Sequence, residues 1–223
     1  MSMTHARRAI VLVVIVHGLI GCNSASHSAP SSIPSGQPSP TPVEARAIVP
    51  DSGLTWRFTP VEILGAGFQP GLMVTFGQTA ALSVRVVDSG TIHARAPMGG
   101  PGSTEVVVTT RGGVRAVVQG VYTFVDGPRP TLTPSAATVA PGGVVSAQWS
   151  TPTAGPLDWI GLFVLGSGNG ETQSFGWRYT DNATTGTFTL TAPSQPGMYE
   201  FRYLPDDQYT DVARSSVVTV RQP

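Results

Sequence analysis

The sequence predicts an all-β protein in which two consecutive β-sandwiches follow an export signal and an unstructured linker. Three observations carry this. Short stretches alternate apolar and polar residues with the period of half-buried strands, and no helical period of useful length interrupts them. Gly (26) and Pro (20) make up about a fifth of the 223 residues and cut those stretches at turn-like intervals. Hydrophobic residues nevertheless reach 40%, which is too many for a chain without cores. The length suits one or two domains at roughly 100 to 200 residues each.

The charge balance excludes whole classes of function. Charged residues are 12% of the chain, 13 acidic residues balance 13 basic ones, and every basic residue is an Arg. Without a cationic surface the chain is not expected to bind nucleic acid. Its single Cys rules out an internal disulfide.

Residues 1–21 read as an export signal. Arg7 and Arg8 precede an apolar run from Ala9 to Ile20, too short to span a bilayer, which ends in Leu19-Ile20-Gly21-Cys22. Those four residues resemble the bacterial lipoprotein signal: two aliphatic residues, a small residue that lets the peptidase reach the backbone, and a Cys. The resemblance implies that Cys22 takes a diacylglyceryl group through its thiolate, becomes the new N-terminus and is acylated further, with palmitate, for example. Each buried methylene contributes about 0.8 kcal/mol, so two or three chains make a permanent anchor. Asn23, which is not Asp, resembles the sorting signal of lipoproteins sent to the outer membrane or cell surface.

Residues 22–44 form the expected tether. The 22 residues from Asn23 to Glu44 include seven Ser and five Pro, no aromatic residue and one charge. No core forms from such a composition. In polyproline II conformation, at about 3.1 Å per residue, they reach roughly 60 to 70 Å from the membrane.

Residues 45–126 carry the first run of strand-like alternation, in Val61–Leu64, Met73–Phe76, Leu82–Val86, Thr104–Val108 and Val121–Phe124. Their order of features resembles the IPT/TIG domain, an immunoglobulin-like fold. The resemblance rests on Ile48–Gly53, Val61–Phe68, Val74–Gly77, Ile92–Pro97 and Tyr122–Phe124. Gly65 and Gly67 bracket a turn expected to need positive φ, and Phe68 is expected to plug the sandwich end. The chain departs from the family at Thr55-Trp56-Arg57-Phe58, where a Gly pair is usual. Some members contact DNA, but an exported segment lacking Lys has no phosphate-binding surface, so a spacer or adhesion role is expected.

Residues 127–223 are expected to form a second sandwich with seven strands centred near Leu132, Ala147, Ile160, Phe175, Phe188, Phe201 and Val218. Seven short strands with regular turns predict an immunoglobulin-like fold. Tyr199, two residues before Phe201, has the spacing of a tyrosine corner. Leu157–Phe163, Trp177–Thr180, the Tyr199 segment and Ala213–Ser215 resemble the sandwich of SKICH domains and of noncatalytic domains in some metallophosphoesterases. That resemblance implies an accessory or interaction module, and no catalytic domain is expected to follow it.

Chemistry is sparse. His93 is the one His outside the signal and the tether; it alternates with core-facing Ile92 and Ala94 and is expected on the surface without an orienting partner. A nucleophile–base pair would have to come from hydroxyls and carboxylates alone, so the protein is expected not to be an enzyme and to need no cofactor. A small hydrolase would require Asp158 and Asp206 to converge on a pocket. Asp206, Asp207 and Asp211 cluster between the last two strands, but they lack a calcium-loop spacing and are expected to serve turns and solubility rather than a metal. Phe175, Trp177 and Tyr179 recur at spacing two, which places them on one face, expected to be the inner one because 11 of the chain's 17 aromatic residues fall in this domain. If they were exposed instead, they would suit a carbohydrate. Candidate binding residues are Glu171, in the Gly-rich loop from Gly166, and Tyr209, Asp206, Asp207 and Asp211 in the acidic stretch, since loops carry recognition on such scaffolds. The expected function is a lipid-anchored envelope protein that presents both sandwiches to a protein or glycan partner.

Overall fold

A computed structural model describes residues 42–170 and 174–222, so Cys22, most of the tether and Glu171 lie outside the described residues. Every element among them is a strand or a turn. The described residues form one compact unit with two separate principal hydrophobic cores, one running from Ala45 to Phe124 and the other from Leu132 to Val220.

The first core is built by β1 (Glu44–Val49), β2 (Ser52–Leu54), β3 (Thr59–Ala66), β4 (Met73–Phe76), β5 (Thr79–Ala80), β6 (Leu82–Asp88), β7 (Thr91–Ala96), β8 (Gly102–Thr104), β9 (Val106–Thr109), β10 (Arg115–Val117) and β11 (Tyr122–Val125). They pair as β1-β3-β7-β6, β10-β9-β4-β5 and β2-β11-β8. Alternation decides which side chains turn inward: Val61 and Ile63 of β3 are buried while Pro60, Glu62 and Leu64 are exposed. Ile92 and Ala94 do the same around an exposed His93. Each of these Val and Ile side chains, fully buried, stabilises the fold by about 1.5 to 3 kcal/mol. Tyr122 packs edge-on against Phe76, with ring centroids 4.9 Å apart.

Phe68 is buried at the end of this sandwich, as expected. Of the two glycines before it, only Gly67 has positive φ, at 71°. Gly65 serves another purpose: a Cβ there would collide with the Glu44 carbonyl and the Phe68 ring. Close approach, not backbone handedness, demands glycine at that position.

The second core is built by β12 (Thr131–Pro134), β13 (Thr138–Val139), β14 (Val144–Ser150), β15 (Trp159–Val164), β16 (Ser174–Tyr179), β17 (Thr185–Thr191), β18 (Gly197–Leu204), β19 (Ala213–Arg214) and β20 (Val218–Val220). All seven expected strand centres fall within these strands; the short β13 and β19 are additional. One sheet runs β12-β14-β17 and the other β13-β20-β18-β15-β16, with β19 on β18. Tyr199 donates its hydroxyl to the Gln195 carbonyl at 2.9 Å, the bond of a tyrosine corner.

Strand β15 is buried on both faces from Trp159 to Phe163. Ile160 and Leu162 enter the main core, while Trp159 and Phe163 join Leu204 in a smaller cluster. The Arg202 guanidinium covers part of that cluster, 4.7 Å from the Phe163 ring centre.

Candidate functional site

Asp158 and Asp206 do converge, but on two arginines of the first sandwich and not around an open pocket. Asp158, fully buried, accepts from Arg57 at two points, 2.9 and 3.1 Å. It also accepts from Gly155 N at 2.9 Å, Tyr203 hydroxyl at 2.8 Å and Asp206 N at 3.1 Å. A carboxylate has about four lone-pair sites, so Asp158 has no capacity left for a substrate. Asp206 is buried as well and ion-paired with Arg95. Burial and the neighbouring Asp158 charge both push the Tyr203 phenol up, which keeps it a donor. Burial opposes the Arg57 charge, but the Asp158 hydrogen bond and charge outweigh it and raise that guanidinium further. Arg57 lies in the Thr55–Phe58 stretch where the sequence departs from the IPT/TIG pattern.

Asp211 is also committed internally. Arg214 donates to it at 2.7 and 3.0 Å, and Asn169 at 2.7 Å. The Gly-rich loop is tied down from beneath, because buried Arg202 donates to the carbonyls of Val164, Ser167 and Gly168 and to the Asn169 side chain. Sequence patterning gave no signal for this anchor.

Asp207 and Tyr209 face outward. Asp206 and Asp207 both adopt positive φ, 60° and 58°, a conformation Asp tolerates better than most residues. The first carboxylate turns into the protein and the second to solvent. Asp207 accepts from the Tyr179 hydroxyl at 2.9 Å. Every other carboxylate of the second sandwich among the described residues meets an Arg: Asp158, Asp181, Glu200, Asp206 and Asp211.

Around Asp207 stand four aromatic rings. Trp159 is the buried floor, its indole N–H donating to the Gln208 carbonyl at 3.3 Å. Trp177 and Tyr209 each stand edge-to-face to it, with centroids 6.0 Å away, and Tyr179 lies 5.2 Å from Trp177. Trp177 is 38% exposed and Tyr209 56%. The four rings and Asp207 line a shallow cleft.

The expected inner-face row of Phe175, Trp177 and Tyr179 is therefore corrected twice. Phe175 and Trp177 are exposed, at 44% and 38%. Nor do the three share one face. From Gly161↔Trp177 to Phe163↔Ser174, β15 advances two residues while β16 advances three, so β16 carries a bulge. It leaves Phe175 against Tyr199 of the main core, 5.1 Å between centroids, while Trp177 and Tyr179 sit with Trp159. The spacing-two rule fails across a bulge, and Gly176 was the only hint of one.

No group of three or more His, Cys, Asp and Glu among the described residues has the geometry of a metal site. Residues 44–125 match the family model described as IPT/TIG domain. No curated protein matches the sequence. Among solved structures, the chain is similar to an auxiliary nutrient binding protein from Bacteroides ovatus at 18% identity and a TM-score of 0.32, covering 41% of this chain and 22% of that one. The present chain thus spans about a fifth of that protein's length. The D0-D1 domain of intimin is similar at 14% identity and 0.30, over 82% and 98%. A Bacteroides ovatus protein, SGBP-B of a mixed-linkage glucan utilization locus, solved with a heptasaccharide, is similar at 13% identity and 0.27, over 74% and 42%.

Proposed function

We propose that the protein is a nonenzymatic lipoprotein, anchored through Cys22 at the outer membrane or cell surface, whose second sandwich binds a glycan. The observation that carries this reading is the pair of exposed rings, Trp177 and Tyr209, that line one cleft together with Asp207. A pyranose offers an apolar C–H face that stacks on an aromatic ring, and hydroxyls that donate to a carboxylate. A rigid floor, Trp159, holds both walls, so little ordering cost opposes binding.

The test is titration of the processed chain against a panel of oligosaccharides. Wild type is expected to bind at least one, and Trp177→Ala to weaken that binding about tenfold or more, as loss of a stacking platform does. Absence of any saccharide binding, with capture of a protein ligand instead, would replace the glycan reading by protein adhesion. For the anchor, Cys22→Ala should move the protein from the membrane fraction to the soluble one or leave it unprocessed; a processed mutant that stays in the membrane overturns that part.

A further inference from the structure

We infer that the cleft around Asp207 takes a primary ammonium group, so that the preferred glycan is an amino sugar with a free amine. The inference rests on the glycan reading for the rest of the ligand, but the charge preference has its own grounds. Asp207 is the one carboxylate of the second sandwich, among the described residues, that meets no arginine; its side chain only accepts from the Tyr179 hydroxyl. Its negative charge is left for a ligand to balance. The surrounding rings act in the same sense, because the π-faces of Trp and Tyr attract cations. Trp159, Trp177 and Tyr209 stand nearly perpendicular, at 71° and 79°, which lines the cleft on more than one side.

The innermost part of the cleft suits a small cationic group. The cleft has about 20 Å³ of free volume. That is room for one water-sized group. A –NH₃⁺ group fits, and it offers three donors to the Asp207 oxygens. The chain carries no net charge, so long-range attraction does not supply the preference, and discrimination must come from the cleft.

The test compares three oligosaccharides matched in linkage and length, built from glucosamine, N-acetylglucosamine and glucose, at a pH where the amine is protonated. Wild type should bind the amine form about tenfold more tightly than the other two. Asp207→Asn should make the three equal: Asn tolerates the positive φ and keeps an oxygen to accept from Tyr179, so only the charge is lost. Equal binding by wild type, or discrimination retained by Asp207→Asn, overturns the ammonium inference and leaves the glycan reading standing. If no saccharide binds, the glycan reading falls and methylammonium chloride decides the rest. A change in the indole NMR signals of Trp159 and Trp177 in wild type, absent in Asp207→Asn, supports the ammonium site; no change overturns it.

Discussion

Arg57 and Asp158, 101 positions apart, form a two-point ion pair that joins the first sandwich to the second. The Asp158 carboxylate is inaccessible to solvent and the Arg57 side chain nearly so, at 13%. Removing Arg57 would leave a buried carboxylate with only neutral donors. Arg57→Ala is therefore expected to cost about 3 to 5 kcal/mol, measured by denaturant unfolding. The double variant Arg57→Met/Asp158→Asn should cost less than the sum of its single variants, because no charge is stranded. Additive losses would mean that the pair is not coupled.

Arg202 makes the second strong prediction. Its guanidinium is fully buried, ion-paired with Glu200 at 2.7 Å and bonded to three carbonyls and Asn169 around the Gly-rich loop. Arg202→Met keeps the packing over Phe163 but leaves buried Glu200 with Arg214 as its one remaining arginine and frees the loop. A loss of about 3 kcal/mol or more is expected, together with proteolytic cleavage between Gly166 and Gly170 that wild type resists. A variant as protease-resistant as wild type would show that the loop holds itself.

The two cores were legible because alternation is local: Val61, Ile63, Ile92 and Ala94 turn inward at every second residue. The contacts that define the site were not. Arg57 meets Asp158, and Tyr179 meets Asp207, across separations at which pattern carries no information. Asp206, Asp207 and Asp211 look equivalent in sequence, yet one is buried against Arg95, one faces the aromatic cleft and one is held by Arg214. Fold topology, not residue type, sorts them.

Asp211 predicts a pH dependence. Burial pushes its carboxyl up, but hydrogen bonds from Arg214 and Asn169 outweigh that and hold it below the ordinary range. A depressed folded pKa means that near roughly pH 3.9, the usual Asp value, the unfolded chain binds more protons than the folded one. The stabilisation is thus complete above that pH and fades as pH falls through the folded pKa. Asp211→Asn should be about 1 to 2 kcal/mol less stable than wild type near neutrality. The difference should shrink in thermal melts as pH is lowered from the ordinary Asp range through the depressed folded pKa. A gap that persists in acid would assign the loss to packing instead.

Gly176 lies within the β16 bulge, between the paired positions Ser174 and Trp177. Gly176 has φ of 155°, a backbone state that side chains disfavour, and a Cβ there would lie 3.3 Å from Leu190 Cδ1. Both effects act against Gly176→Ala, with an expected cost of about 1 to 3 kcal/mol. The strand can relieve the strain by losing its extra residue, but a one-residue slip exchanges the faces of every side chain beyond it. Trp177 and Phe175 would then no longer be separated between the Trp159 cluster and Tyr199. Gly176→Ala should accordingly lose stability in denaturant and lose the Trp159–Trp177 ring contact, read as a cross-peak between the indole protons. A variant of wild-type stability that keeps that cross-peak would show that the bulge is set by neighbouring packing and that glycine is dispensable at this position.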